Sequence, residues 1–286
     1  MKINTKKLFD IFNYLIMVLV IISTLYPFYY VAVASISDPT ALSTFTGVLL
    51  KPLAPITTKA YEAVFNMPLL ISGYLNTIKI LVVGVSVNMV LTILGAYFLS
   101  IEGPRHKNFI AFMIIFTMYF SGGMIPSFLN VKDLGLYDTF WALVIPGAIN
   151  TTYLIIMKSA FQSVPASLME AAELDGASYI QILVKVMLPV VKPTIAVLVL
   201  YYGVDHWNEW FNASIYLQSK ELFPIQLVLR NLLASTDSIQ GMEDMAAYVD
   251  LIKYALIMVT TVPIICIYPF LQKYFAKGVM VGAVKG

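Results

Sequence analysis

Long apolar runs alternate with short polar breaks along the whole chain, and these runs set the first reading. Six of them approach the ~20 residues that a helix needs to cross the hydrocarbon core of a bilayer. They lie near Tyr14–Ala34, Leu75–Leu99, Phe109–Phe128, Thr139–Met157, Pro193–Trp207 with some extension, and Leu251–Leu271. The pattern predicts an all-α polytopic membrane protein with six transmembrane helices. The fifth run is the weakest, because it passes into Asp205, His206, Asn208 and Glu209. Pro27, Pro126, Pro146, Pro263 and Pro269 fall in or near the runs, where kinks are tolerated if neighbours or water satisfy the freed carbonyls.

One polar-apolar mixed stretch interrupts this pattern, from Ser163 to Pro189. Pro165 suits the first turn of a helix. Ser163 or Ser167 can cap that turn, and Ser167 with Glu170 has capping-box spacing. Gly176 supplies a residue able to turn left-handed and stop the helix. Ser178, three before Gln181, can cap a second helix that runs to Leu188, with Pro189 closing it. The expectation is two short helices at a glycine elbow, a shape suited to docking in another protein's groove.

Composition supports lipid as the solvent. Hydrophobic residues make up 59% of the 286 and charged residues 12%, about half the charge of a soluble globular chain. The net charge of +2 says little until its distribution is read. With the N-terminus inside, eleven Lys and Arg fall on inner segments and six on outer ones, the positive-inside bias. That orientation puts both termini and the elbow in the cytoplasm. Ala32-Val33-Ala34 has the form of a signal-peptidase site, but the run before it exceeds the 7–15 residues of a secretory core. An uncleaved first span is therefore expected. Two outer segments, Ser35–Gly73 and Asn208–Asp250, are large enough to fold, the first with a helical pattern around Thr58–Phe65. No repeat or hydrophilic linker divides the chain, so residues 1–286 read as one membrane domain.

Catalytic patterns are missing. There is no Gly-x4-Gly-Lys-Ser/Thr phosphate loop, no His-Glu-x-x-His pair and no Gly-x-Ser-x-Gly turn, so no ATP hydrolysis or other enzyme activity is expected. The two histidines, His106 and His206, are far apart and form no metal cluster, and Cys266 lies alone in an apolar run. Asp205 and Glu209 share a helix face with four-residue spacing. They read either as a helix end at the headgroups, with Trp207 and Trp210 as interfacial anchors, or as lining that faces a sugar.

The elbow resembles the coupling loop of ABC-importer permeases, over about residues 160–190. That family's pattern is Glu-Ala-Ala, three residues, Gly, nine residues, Ile, one residue, Leu-Pro. Here it reads Glu170-Ala171-Ala172, Gly176, Val186, Leu188 and Pro189, with Val the single departure. Further stretches resemble the carbohydrate-uptake branch: Gly122-Gly123-Met-Ile-Pro126, Leu134 to Leu143, His206-Trp-Asn-Glu-Trp-Phe-Asn212, Pro224 to Arg230, and the tail Lys273–Gly286. They are similar to the second permease of the maltose transporter and to permeases importing complex oligosaccharides such as pectin or alginate fragments.

The resemblance implies a type I ABC importer permease fold and a subunit that forms half of an oligosaccharide path in a bacterial inner membrane. Its implied partners are a homologous companion permease, two ATPase subunits that bind the ATP and Mg, and an extracytoplasmic sugar-binding protein. No cofactor of its own and no nucleic acid are implied. Glu170, Ala171, Ala172, Asp175, Gly176, Leu188 and Pro189 are the expected ATPase-coupling residues. Lys277, Gly278 and Gly282 in the tail (about 273–286) are expected to dock on the ATPases or to form a free terminus. A permease for another solute shares the elbow, and a secondary transporter shares the spans.

Polar residues inside spans need a partner or a wet cavity. On that ground Asn76, Lys79, Asn88 and Tyr97 are candidates for the translocation path. Trp207, Asn208, Trp210 and Asn212 join them, because aromatic faces beside amides suit sugar rings. Lys79 has two readings: its stem snorkels to the outer headgroups, or it faces the cavity and attracts an acidic sugar.

Overall fold

The computed structural model describes residues 5–103, 105–236 and 248–266. Among these the ordered elements are helical. Helix α1 is Thr5–Ala34, α2 Pro39–Thr44, α3 Lys59–Phe65 and α4 Pro68–Ser100. Next come α5 Lys107–Tyr119, α6 Met124–Asp133, a 3-10 turn Phe140–Leu143, and α7 Thr151–Gln162. The elbow follows as α8 Ala166–Leu174, α9 Tyr179–Ile182, a π turn Leu183–Met187, and α10 Leu188–Val190. Helices α11 Lys192–Trp207, α12 Phe211–Tyr216, α13 Ile225–Thr236 and α14 Tyr248–Cys266 complete the series.

All six expected runs carry helix, but not all as unbroken rods. Helices α1, α4 and α14 are long and apolar enough to cross a bilayer. The segments Tyr179–Val190 and Lys192–Trp207 count as a fourth if their 85° bend belongs to one span. The third run, expected over Phe109–Phe128, breaks between Tyr119 and Met124, where Gly122-Gly123 sits and Gly123 takes φ +85°. In the fourth, expected over Thr139–Met157, regular α-helix starts only at Thr151. Pro146 and Gly147 disfavour helix before it, and the Asn150 side chain caps α7 by accepting from the N–H groups of Thr152 and Tyr153.

The helices group into two compact units, dividing inside α4 after Leu70, inside α13 after Val228 and inside α14 after Pro263. In the first unit, Val33, Ala34 and Leu49 are buried, with Tyr30, Leu42, Leu53 and Tyr254 packed on them. Its loop is pinned by hydrogen bonds: the Leu53 N–H donates to Ser37 Oγ, and the Asp38 N–H donates to the Leu53 carbonyl. The Asp38 carboxylate caps α2 by accepting from Ala41 N–H. Along α1, Phe9, Tyr14 and Leu25 are more than half exposed, as befits a helix whose apolar sides meet lipid or another subunit.

The second unit is organised on α4. Gly73, Thr77, Ile80, Gly84, Asn88, Thr92 and Ala96 are buried at helical spacing along one stripe. Its polar members are each paired, as buried polar groups must be. Thr77 Oγ1 accepts from Ile225 N–H, Asn88 meets three partners, and Thr92 shares a 2.7 Å hydrogen bond with the Tyr202 hydroxyl. A larger apolar core lies toward the elbow, around Tyr97, Met157, Phe161, Ile182 and Met187. A smaller one gathers Ile80, Val131, Leu143, Ala213 and Leu227.

Candidate functional site

The elbow forms as its residues dictate, with two changes. Gly176 takes φ +78°, the left-handed conformation that glycine adopts without strain. The Gly176 N–H donates to the Glu173 carbonyl at 2.9 Å and the Ala177 N–H to the Ala172 carbonyl at 3.0 Å, a Schellman stop that satisfies the last carbonyls of α8. Ser178 and Gln181 form a complete capping box at the start of α9. Neither Ser163 nor Ser167 caps α8; its N-cap is Pro165, without a side-chain bond. The second helix also does not close at Pro189 but runs on to Val190. Pro189 lacks an N–H and its ring crowds the carbonyl four residues back; the π turn Leu183–Met187 widens the helix there, so it continues.

Of the expected coupling residues, Glu170, Ala171, Asp175, Gly176 and Pro189 are exposed, while Ala172 and Leu188 are half-buried against the core. Val186, the departure from the family pattern, is half-buried in the same way. The elbow also displays large apolar side chains: Leu174 is 90% exposed, Ile180 74% and Tyr179 62%. Apolar side chains exposed in this way at a loop tip are of the kind found where a protein or a membrane surface is met. Lys277, Gly278 and Gly282 lie outside the described residues.

A second feature lies at the C-terminal end of α11, a cavity of about 550 Å³. Ser127, Asn150, Tyr202, Asp205, His206, Asn208, Glu209, Asn212 and Tyr216 supply its polar and aromatic wall, with Pro146 and Gly147 from the broken fourth run. The volume is of the size that binds small ligands. Tyr202 accepts from Asn150 N–H at 3.0 Å, and Tyr153 donates to Asp205 Oδ2 at 2.9 Å. Glu209 Oε1 accepts from Asn212 N–H at 3.3 Å.

Two of the eight residues expected on the path, Asn208 and Asn212, line this cavity. The others are placed differently. Asn76 donates from Nδ2 to the carbonyls of Glu221 and Phe223, holding the turn before α13. Lys79 sits with Nζ 4.7 Å from the centre of the Phe140 ring, a cation–π arrangement. Neither of its two expected readings included that ring. Asn88 is fully buried, and Tyr97 donates to the Tyr179 carbonyl at 3.0 Å, toward the elbow and away from the cavity. Trp207 is buried and Trp210 packs edge-on against Phe211. Asp205 and Glu209, read in the sequence as headgroup or sugar-facing residues, belong to the cavity wall. Asn150 and Tyr202 gave no sequence signal, since the run around Asn150 reads as an unbroken span and Tyr202 as one more core aromatic.

Near this region Asp138, outside the helices, accepts from the N–H groups of Gln218 and Ser219 and from the Ser219 hydroxyl. The Ser219 hydroxyl first, then the two N–H groups, hold the Asp138 carboxyl below the usual aspartate range.

Helices long and apolar enough to cross a membrane, a polar cavity and an exposed capped elbow are features of a membrane permease. The family described as "Binding-protein-dependent transport system inner membrane component" matches residues 5–281, and this chain belongs to it. The chain is 38% identical over 285 residues to the polygalacturonan/rhamnogalacturonan transport system permease protein YtcP of Bacillus subtilis (strain 168), covering 98% of this chain and 99% of that protein. It is 39% identical over 289 residues to protein LplC of the same organism, covering 99% and 97%. Among solved structures, a chain of a bacterial ABC transporter involved in the import of the acidic polysaccharide alginate superposes with a TM-score of 0.88. It is 33% identical, over 96% of this chain and 99% of that one. The permease class expected from the elbow is therefore the class of the protein.

Proposed function

We propose that this permease forms half of the translocation path of an ATP-driven importer of oligosaccharides. The cavity at the end of α11 is its share of the sugar path, and the elbow Glu170–Pro189 is its contact with an ATPase subunit. The observation that carries the coupling role is the exposure of Leu174, Tyr179 and Ile180 on a doubly capped elbow. Capping fixes both helices relative to each other, so a push on the elbow reaches α11 through α9, the π turn and α10, across the 85° bend at Val191. The relatives named for polygalacturonan and alginate import support an oligosaccharide as cargo. A companion permease, two ATPase subunits and an extracytoplasmic binding protein complete the assembly, with the elbow, both termini and the tail residues Lys277, Gly278 and Gly282 on the ATPase side. The chain itself carries no catalytic step.

The test is reconstitution of the four kinds of subunit in proteoliposomes and measurement of oligogalacturonide uptake. ATP-dependent uptake that requires the binding protein is expected. Uptake driven by an ion gradient without ATP would assign the chain to secondary transport, and uptake of amino acids or peptides in place of sugars would reassign the cargo. Deleting residues 277–286 should lower complex yield or ATPase turnover; unchanged values would return the tail to a free terminus.

A further inference from the structure

The cavity at the end of α11 carries charge of one sign. Among the described residues that line it are two carboxylates, Asp205 and Glu209, and no Lys or Arg. Asp205, Asn208 and Asn212 are exposed and Glu209 is half-buried, so solvent reaches this stretch of wall. Asp205 Oδ2 accepts from the Tyr153 hydroxyl and Glu209 Oε1 from the Asn212 N–H. Both donors are neutral, and neither carboxylate has an ion-pair partner among the described residues. His206 adds no positive charge. It is 6% exposed, and its Nδ1 is buried without a partner, where a proton would be an unpaired charged donor. Lys79 on α4 holds its ammonium over the Phe140 ring and does not line the cavity.

Several neutral donors of the wall are engaged within the protein. The Ser127 hydroxyl donates to the Gly123 carbonyl at 2.8 Å, and Asn208 Nδ2 to the Val204 carbonyl at 2.9 Å. The N–H groups of Thr152 and Tyr153, at the start of α7, are taken by Asn150 Oδ1. A compact volume of about 550 Å³ is roughly 10 Å across, about one Debye length at ~0.1 M salt. An anionic group anywhere inside it therefore feels both carboxylates, whichever of their oxygens it faces. A hydroxyl meets the opposite situation, because an ionised carboxylate is a strong acceptor of O–H donors. We infer that this cavity is a subsite for an uncharged sugar unit, and that Asp205 sets the preference by accepting hydroxyls and repelling the carboxylate of a uronate. The inference rests on the oligosaccharide reading above and narrows it: this half of the path handles a uronate chain more slowly than its uncharged counterpart. Glu209 adds to the same field but also holds the Asn212 N–H, so Asp205 is the residue to test.

The experiment uses the reconstituted transporter with trigalacturonate and its fully methyl-esterified form, which share length and linkage and differ in charge. Each is supplied on saturated binding protein, so delivery is equal and the ratio of the two uptake rates reports the permease. The wild type should take up the methyl ester faster. Asp205→Asn, which keeps an acceptor for Tyr153, should move the ratio toward the charged chain by about 4-fold or more, the Coulomb effect of one charge at ~5 Å in water. A wild type that prefers the charged chain, or a ratio unchanged in Asp205→Asn, would overturn the inference. Should the variant fail to assemble, the wild type decides by its salt dependence. Its preference for the methyl ester should shrink between ~0.1 M and ~1 M salt, as the Debye length falls from about 10 Å to about 3 Å; a preference that salt leaves untouched would overturn the inference. Failure of the wild type to import either chain would overturn the oligosaccharide reading, and this inference with it, whereas import of both with an unchanged ratio overturns this inference alone.

Discussion

The Tyr97 hydroxyl donates to the Tyr179 carbonyl at 3.0 Å, joining the last turns of α4 to the first residue of the elbow's second helix. Tyr97 is also packed edge-on against Phe161 of α7, with centroids 5.9 Å apart. The buried spine of the second unit is therefore bonded directly to the element proposed to meet the ATPase. A displacement of the elbow cannot leave α4 unaffected without breaking that bond.

Tyr97→Phe removes the hydroxyl and keeps the ring. The net stability loss should be about 1 kcal/mol, since the Tyr179 carbonyl belongs to an exposed residue and can take water instead. The functional loss should be larger: sugar stimulation of the ATPase should fall while assembly is kept. Wild-type stimulation in this variant would show that the bond carries nothing to the path.

Gly176→Val forces a branched side chain into φ +78°, a strain of about 1–3 kcal/mol. No atom lies within 4 Å of the position a Cβ would take, so the cost is conformational rather than steric. The Schellman stop should be lost and both short helices misplaced. Basal ATPase activity without sugar stimulation is the expected phenotype in the assembled transporter. Preserved stimulation would mean that the elbow's angle is immaterial.

Gly84→Ala tests the close approach of α11 to α4. The new methyl would meet His206 Nε2 at 2.6 Å and Cε1 at 2.9 Å. The imidazole, held by Asn88, must give way, at about 1–3 kcal/mol for overpacking. In a His206→Ser background the same substitution should cost far less, a coupling above ~0.5 kcal/mol. Thermal unfolding in detergent reads all four species of the cycle, and additive losses would refute the contact.

Asp138 predicts a pH dependence whose sign follows from its partners. Its folded carboxyl sits below the usual aspartate range because Ser219 and Gln218 donate to the ionised form. The folded state therefore binds fewer protons than the unfolded chain, and this stability is present above the ordinary aspartate value of ~3.9. It is lost as the pH falls through the lower, folded value. Asp138→Asn should flatten that share of the acid decline and lower stability near neutrality by roughly 1 kcal/mol, the figure kept small by solvent screening. Parallel melting curves for the two proteins across the acid range would contradict the staple.

What the sequence determined by itself was whatever depends on local chemistry or on burial periodicity. Apolar runs near the length of a bilayer crossing required helices in lipid. Gly176, Ser178 and Gln181 required a left-handed stop followed by a capping box, because those bonds close within four residues of chain. The helix at Lys59–Phe65 was legible for the same reason. What needed the tertiary structure was every feature decided by a partner distant in sequence. The fourth run reads as one span, yet it breaks at Gly147 and Ala148, whose carbonyls accept from the amide N–H groups of Asn88 on another helix. Asn76, Asn88 and Tyr97 look from the sequence like path residues, since a polar group in a span needs either water or a partner. The chain alone cannot say which; the fold gave each of them a carbonyl to hold. Asp205 and Glu209 carried the opposite ambiguity, and packing turned both toward the cavity. The wall of the cavity is assembled from α11, α12 and a loop more than fifty residues earlier, and no local pattern records which side chains will meet across such a separation.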